Sequence, residues 1–346
     1  MRTDDFSFDL PEDLIAQHPS ERRGESRLMI LDRATGERAH STVARLVDCL
    51  EPGTLMVFND SRVRKARIYG KAVDTGSRAE FLLLRRREAG VWEAVASKLR
   101  RQRPGRRYSF PEGVGAEILG PGASREAGPD TVLVSFDPPV TEDYLERVGH
   151  VPLPPYIKRE DGPEDDERYQ TVYSRELGSA ACPTAGLHFT EGILASLDAK
   201  GIRRAVVTLH VGLGTFLPVR TETVEGHAMH EEEYSIPEAT AGEVMSAKAE
   251  GRPVLAVGTT SLRSLEAAWE EGKGLRAGRG STRIFIYPGY GFKAVDMLFT
   301  NFHTPRSTLL MLASAFAGRE AVIGAYAEAV RERYRFFSYG DAMLIR

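Results

Sequence analysis

Val254-Leu255-Ala256-Val257-Gly258-Thr259-Thr260-Ser261-Leu262-Arg263 reads as a buried strand that turns through glycine into a helix. Four apolar residues in a row suit a strand covered on both faces. Glycine tolerates the positive φ or close ligand approach that such a turn requires. The spacing predicts a strand over 254–257 and a helix over 261–271, with Ser261 as a side-chain cap. The first-turn amides with Thr259 and Thr260 suit a carboxylate or phosphate, and Arg263 would add a charge-assisted contact. Plain capping beside a solvated arginine is the competing reading.

Working outward, three more stretches combine glycine, hydroxyl residues and histidine. They are Pro183-Thr184-Ala185-Gly186-Leu187-His188-Phe189, His210-Val211-Gly212-Leu213-Gly214-Thr215-Phe216 and Asn301-Phe302-His303-Thr304-Pro305. Such loops at strand ends suggest one small-molecule pocket. Strands are expected at 28–31, 54–58, 205–210, 254–257, 283–287 and 297–301. Helices are expected at 43–50, 190–200, 239–250, 261–271, 307–316 and 320–333. This alternation predicts an α/β domain with a mixed sheet. Between 64 and 150 the pattern changes to six short strands, at 67–73, 79–84, 91–96, 106–110, 116–119 and 131–136. With no helix expected there, they predict a small closed β-barrel. The expected organisation is therefore a discontinuous catalytic unit, 1–62 and 152–346, interrupted by a barrel at 63–151. Val151-Pro152-Leu153-Pro154-Pro155-Tyr156 would form the stiff return.

The 346 residues carry a net charge of −3, 42% hydrophobic and 27% charged residues, an ordinary globular composition that alone points to no polyanionic partner. No apolar run approaches the length needed to span a bilayer, and the N-terminus does not read as a signal peptide. Two distant cysteines, Cys49 and Cys182, fit a reducing cytoplasm. Charge is uneven, however. From Arg62 to Arg107 there are 15 Lys/Arg against 4 Asp/Glu, densest at Lys98, Arg100, Arg101, Arg103, Arg106 and Arg107. A phosphate-binding face is one reading. The other is a solvated surface balanced by the acidic runs at 160–167 and 231–233.

His188, His210 and His303 are candidate acids and bases, with Asp60 of Phe58-Asn59-Asp60-Ser61-Arg62-Val63 as a carboxylate alternative. Gly212-x-Gly214-Thr215 does not open a dinucleotide fold, because Pro218 interrupts the helix that such a site needs. His227 and His230, with Glu231, would offer metal ligands on one helical face. They lack the HExxH arrangement and any further Cys/His cluster, so no metal is expected. Cys182 is expected to pack behind its loop rather than act as a nucleophile.

Together with Leu14-Ile15-Ala16-Gln17-His18-Pro19, Pro152-Leu153-Pro154-Pro155-Tyr156-Ile157, Glu167-Arg168-Tyr169-Gln170-Thr171-Val172-Tyr173 and Tyr334-Arg335-Phe336-Phe337-Ser338-Tyr339-Gly340-Asp341-Ala342-Met343, these motifs cover nearly the whole chain. The chain resembles the S-adenosylmethionine:tRNA ribosyltransferase-isomerases of bacterial queuosine synthesis. Its departures are few: Cys182 where alanine is frequent, Arg64-Lys65 in place of an apolar residue and proline, and Leu217 at a variable position. The resemblance implies an α/β domain with an inserted barrel. It also implies transfer and isomerisation of the ribosyl group of S-adenosylmethionine onto 7-aminomethyl-7-deazaguanine in tRNA, with adenine and methionine released. S-adenosylmethionine is then a consumed substrate, and no other cofactor is expected. On that basis Thr259, Thr260, Ser261 and Arg263 would hold the methionine carboxylate. Thr184, Gly186, Gly212, Gly214, Thr215 and Gly258 would lie against the ligand. Asn59, Arg62 and Asn301 would contact ribose or deazaguanine, and the basic cluster from Lys98 to Arg107 would hold tRNA.

Overall fold

Nine strands form one mixed sheet, in the order Gly278–Thr282, Glu232–Ile236, Arg203–Leu209, Leu55–Asn59, Val254–Val257, Met297–Asn301, Ala342–Ile345, Arg27–Leu31, Arg38–Thr42. The computed structural model describes residues 1–122, 130–212, 219 and 221–346. The four strands from Arg203–Leu209 to Met297–Asn301 run parallel, so their C-terminal ends share one edge. Leu55–Asn59 lies inside this group, with Val57 opposite both Ala205 and Ala256. Its side chains alternate between faces. Leu55 and Val57 join the core beneath the helices Thr259–Ala268 and Thr308–Ala317, whereas Met56 and Phe58 join the opposite core with Leu194, Leu197 and Phe299.

The barrel is a separate closed ring of six antiparallel strands: Arg67–Ala72, Arg78–Glu88, Val91–Ala96, Arg107–Ser109, Gly115–Pro121 and Val132–Asp137. Each matches an expected strand. Its interior has its own core, in which Phe81 meets Tyr108 and Phe110 edge-on at 5.0 and 5.6 Å, and Phe110 meets Phe136 at 5.5 Å. The barrel is tied to the rest of the chain by Lys65–Asp166 at 2.7 Å, Arg78–Glu160 at 3.3 Å and Arg85–Glu233 at 2.7 Å.

Several sequence expectations are corrected. A helix, Glu142–Val148, follows the barrel and is capped by the Thr141 side chain. Only Tyr144 and Leu145 of its seven residues are buried, too few to show helical periodicity. Residues 283–287 form no strand; the adjacent Gly278–Thr282 pairs instead with Glu232–Ile236. That edge strand is held by backbone bonds and is mostly exposed, so it carries no apolar alternation. Residues 227–230 are not helical, which removes the shared face expected for His227 and His230. The helix expected at 261–271 is Thr259–Ala268, and Trp269–Glu270 pairs as a small hairpin with Gly274–Leu275. Among the described residues, no single helix is long and apolar enough to cross a membrane. The consecutive pair Thr308–Ala317 and Arg319–Arg331 passes only jointly and is bent by 116°.

Gly70 packs inside the barrel so tightly that an added Cβ would lie 2.8 Å from the Phe110 ring. Gly70→Ala should therefore lower stability by about 1–3 kcal/mol. Gly120→Ala, where an added Cβ meets none of the described residues within 4 Å, should stay within about 0.5 kcal/mol. Urea unfolding of both variants checks this; equal effects would contradict the tight packing at Gly70.

Candidate active site

A pocket with about 710 Å³ of empty space, its open mouth included, lies at the C-terminal edge of the parallel strands. Val211 follows Arg203–Leu209, Gly258, Thr259 and Thr260 follow Val254–Val257, and Thr300 to Thr304 end Met297–Asn301. Cys182 to Ala185 form another wall, and Tyr156, Phe337 and Ser338 close the pocket from the far side.

Gly258 sits at φ +88° and places its N–H on the carbonyl of Phe299 at 2.8 Å, so the helix begins at Thr259. Ser261 is thus inside the first turn and does not cap it, contrary to expectation. Its hydroxyl donates back to the Val257 carbonyl at 2.8 Å. Thr259 and Thr260 do line the pocket. Asn59 is fully buried, and its amide is used within the fold. Nδ2 donates to the Leu209 carbonyl and Thr260 Oγ1, while Oδ1 accepts from the Leu209 and Ser61 amides.

Asn301 is a second hub. Its Nδ2 donates to the Phe337 carbonyl at 3.1 Å and to His188 Nε2 at 3.0 Å, and its Oδ1 accepts from the Thr184 hydroxyl at 3.3 Å. His188 Nε2 is therefore an acceptor, which puts the neutral imidazole proton on Nδ1. Asn301, Thr184 and His303 face the pocket, whereas His188 stands behind Asn301 and lines a smaller recess with Ser20, Arg168 and Tyr339. His303 shares a hydrogen bond with Thr300 Oγ1 at 2.9 Å, and its backbone N–H donates to the Tyr326 hydroxyl. Gly186 is excluded from ligand approach by its own neighbours: a Cβ there would meet the Tyr173 hydroxyl at 2.1 Å.

His210 and Asp60 lie beside the pocket rather than in its wall. His210 is half-buried, and its Nδ1 has no partner among the described residues. Burial lowers its pKa, helped by Arg64 and opposed by Glu233, Glu176 and Asp60. Burial raises that of Asp60, opposed by the 2.7 Å hydrogen bond from Thr208. Arg62 is exposed on the short strand Ser61–Val63. Gly214, Thr215 and the variable Leu217 lie outside the described residues, while an added Cβ on Gly212 would meet none of the described residues within 4 Å. Cys182 lines the pocket, and burial pushes its thiol pKa up, so it stays protonated. Among the described residues, no three His, Cys, Asp or Glu groups converge to hold a metal ion.

Arg263 is buried and bonded through Nη1 to Glu232, a residue visible in the sequence only as part of an acidic run. Tyr156 and Phe337-Ser338 were likewise unassigned, although both stand in the end-to-end motifs; the Tyr156 and Ser338 hydroxyls bond at 2.5 Å. On the barrel, Arg101, Arg103, Arg106 and Arg107 border a groove with Val73 and Asp74. Arg106 pairs with Asp74 and Arg107 with Glu117, whereas Arg101 and Arg103 are exposed with no ion pair among the described residues. Lys98 is exposed at φ +52°, and the Arg100 side chain lies outside the described residues.

Burial takes both His188 and His303 down to about 3 from the ordinary 6.5, with Arg23 and Arg335 adding to the shift at His188. The folded values are lowered, so the unfolded chain binds the extra protons. Stability is fully present above about pH 6.5 and is lost as pH falls toward 3. Exchanging one of these histidines should flatten that loss by about 1.4 kcal/mol per pH unit between about pH 4 and 6. Urea midpoints of the parent and His303→Gln across this range provide the measurement; identical slopes would refute the neutral, buried assignment.

The comparisons with known proteins agree over the whole length. A family described as queuosine biosynthesis protein matches residues 3–345. The chain is 52% identical to an S-adenosylmethionine:tRNA ribosyltransferase-isomerase of Treponema denticola and 51% identical to one of Geobacter metallireducens, covering 100% of each chain in both cases. Among solved structures it is similar to an S-adenosylmethionine tRNA ribosyltransferase of Thermotoga maritima, 36% identical, with a TM-score of 0.56. That match covers 99% of this chain and 100% of the other.

Proposed function

The chain belongs to the queuosine biosynthesis protein family, and we propose that it transfers and isomerises the ribosyl group of S-adenosylmethionine onto 7-aminomethyl-7-deazaguanine at the wobble position of tRNA, in the cytoplasm. The products are epoxyqueuosine-tRNA, adenine and methionine. The observation that carries this reading is the convergence of Thr184, Thr259, Thr260, Asn301 and His303 on one pocket at the parallel strand ends. In this proposal S-adenosylmethionine is consumed, and neither a metal nor a redox cofactor takes part.

The sulfonium acidifies the adjacent ribose carbon, a base removes its proton, and departing adenine takes up a proton. A base with a pKa near 3 is poorly matched to removing a carbon-bound proton. His188 and His303 therefore suit neutral hydrogen bonding. His210 and Asp60 suit proton transfer, because burial moves their pKa values toward each other, His210 down and Asp60 up. In this reading Asn59 positions the strand ends, and Asn301 orients His188 while presenting itself to the nucleoside. Gly212, Gly214, Thr215 and Gly258 let the backbone approach it.

The fate of label separates this reaction from methyl transfer. With tRNA bearing 7-aminomethyl-7-deazaguanine, label in the ribosyl carbons of S-adenosylmethionine should enter tRNA, while methyl label should leave in methionine. Methyl label retained in tRNA would overturn the proposal.

In the same reading the barrel holds tRNA phosphates through Lys98, Arg100, Arg101, Arg103, Arg106 and Arg107. Phosphate contacts position an RNA, and an unstacked base supplies the sequence choice. Replacing Arg100, Arg101 and Arg103 together with alanine should weaken tRNA binding far more than S-adenosylmethionine binding. It should also flatten the salt dependence of tRNA affinity by roughly 0.7–0.9 log unit per lost contact. Unchanged tRNA affinity and slope would place the docking face elsewhere.

A further inference from the structure

The Arg263–Glu232 pair breaks the usual accounting for buried charge. Both side chains are almost wholly inaccessible, at 3% and 4% exposure. Glu232 accepts from Nη1 of Arg263, and its other oxygen lies 3.4 Å from the Gly212 amide. Nε and Nη2 of Arg263 are buried with no partner among the described residues. Those two nitrogens form one edge of the guanidinium, with the spacing that accepts both oxygens of a carboxylate. A buried charge is tolerated when it is paired and its remaining donors are satisfied. Here a whole donor edge is not.

The surroundings place that unpaired edge close to the pocket. Arg263 belongs to the first turns of Thr259–Ala268, the helix whose Thr259 and Thr260 line the pocket. Glu232 reaches back to Gly212, whose neighbour Val211 lines the same pocket. The pair thus lies behind the pocket wall, one helical turn beyond Thr259 and next to Gly212, without lining the pocket itself.

We propose that Glu232 is a positioning residue. It holds Nη1 of Arg263 so that the buried Nε–Nη2 edge stays unpaired, to take the α-carboxylate of the amino-acid portion of the substrate when that group reaches past the wall. This rests on S-adenosylmethionine being that substrate, and it adds how the enzyme selects the amino-acid end. Lysine at 263 would retain the charge but not the two-pronged edge. Glutamine at 232 would retain the shape but not the charge that fixes the guanidinium.

Equilibrium dialysis with S-adenosylmethionine and decarboxylated S-adenosylmethionine tests this directly. The two differ only at the carboxylate, and both keep the sulfonium and the ammonium. The parent protein should prefer S-adenosylmethionine by roughly 10- to 150-fold, the range for a hydrogen-bonded charged group. Arg263→Lys should lose most of that preference and Glu232→Gln part of it, with affinity for the decarboxylated compound nearly unchanged in both. A variant that was merely structurally damaged would lose affinity for both compounds together. No preference in the parent protein overturns the carboxylate assignment without requiring any variant to fold. A preference that survives in Arg263→Lys places the carboxylate elsewhere, and one that survives in Glu232→Gln removes the positioning role. Failure of the parent to bind either compound would instead overturn the substrate reading itself.

Discussion

Asn59 is the interaction on which the pocket depends, although it does not line it. The residue ends an inner strand of the parallel group, where three chain segments must be held in fixed register. Its amide closes two bonds to Leu209, one to Ser61 and one to Thr260. These partners begin the His210 loop, the exit toward the barrel and the helix whose first residues line the pocket. A buried donor or acceptor left unmade costs about 1–3 kcal/mol, so losing this one side chain would strand groups on all three segments. Asn301 repeats the arrangement two strands away, linking Thr184, His188 and the Phe337 carbonyl. Two amides therefore fix the relative positions of four loops whose own sequences are mostly small and polar.

That arrangement leaves the described residues of the pocket walls without charge. Burial keeps His303 and His188 neutral, and it raises the pKa values of Cys182 and Tyr156, so their protons stay on. The nearby ionisable groups, Asp60 with His210 and Glu232 with Arg263, lie at the margins. In a poorly hydrated site each such charge acts more strongly than it would in water. A cationic sulfonium set among neutral donors and acceptors would feel chiefly those marginal groups. In the proposed reading, proton transfer would fall to Asp60 and His210 and recognition of the amino-acid end to Arg263 with Glu232, two groups just outside the pocket wall.

Much of this was readable in the chain because the deciding elements are strongly apolar. Val254–Val257 and Met297–Asn301 announce themselves as buried strands, and the six barrel strands are punctuated by Gly, Pro and Ser. The polar edge strands were not readable. Gly278–Thr282 is stabilised by main-chain bonds to Glu232–Ile236, whose own start looks like a charge run. Glu232 was hidden for the same reason, since its pairing with Arg263 joins segments that are distant in sequence. Ser261 misled because a serine near a helix start usually caps, whereas here Gly258 makes the turn three residues earlier. His188 and Gly186 carry the residue types of a ligand loop, yet folding turns both away from the main pocket, toward Asn301 and Tyr173.

The basic stretch shows how a charge count and a binding surface differ. Several of its cations are spent on the fold: Arg64 on Glu142, Arg67 on Glu80 and Arg87 on Glu93. Lys65, Arg78 and Arg85 instead reach acids at Asp166, Glu160 and Glu233, which fastens the barrel to the sheet unit. The two acidic runs seen in the sequence are therefore partners of the basic segment as well as solvated surface. Among the described residues, Arg62, Lys71, Arg86, Lys98, Arg101 and Arg103 have no ion pair, and of these Arg101 and Arg103 border the groove whose other arginines are already paired. A cation free of an internal acid can bind phosphate without first breaking a bond. A paired one must exchange partners, with little net gain at an exposed site. One stretch of sequence thus has two physical roles. Its paired residues help fasten the barrel to the sheet unit, and its unpaired residues are those on which the proposed tRNA contact would draw.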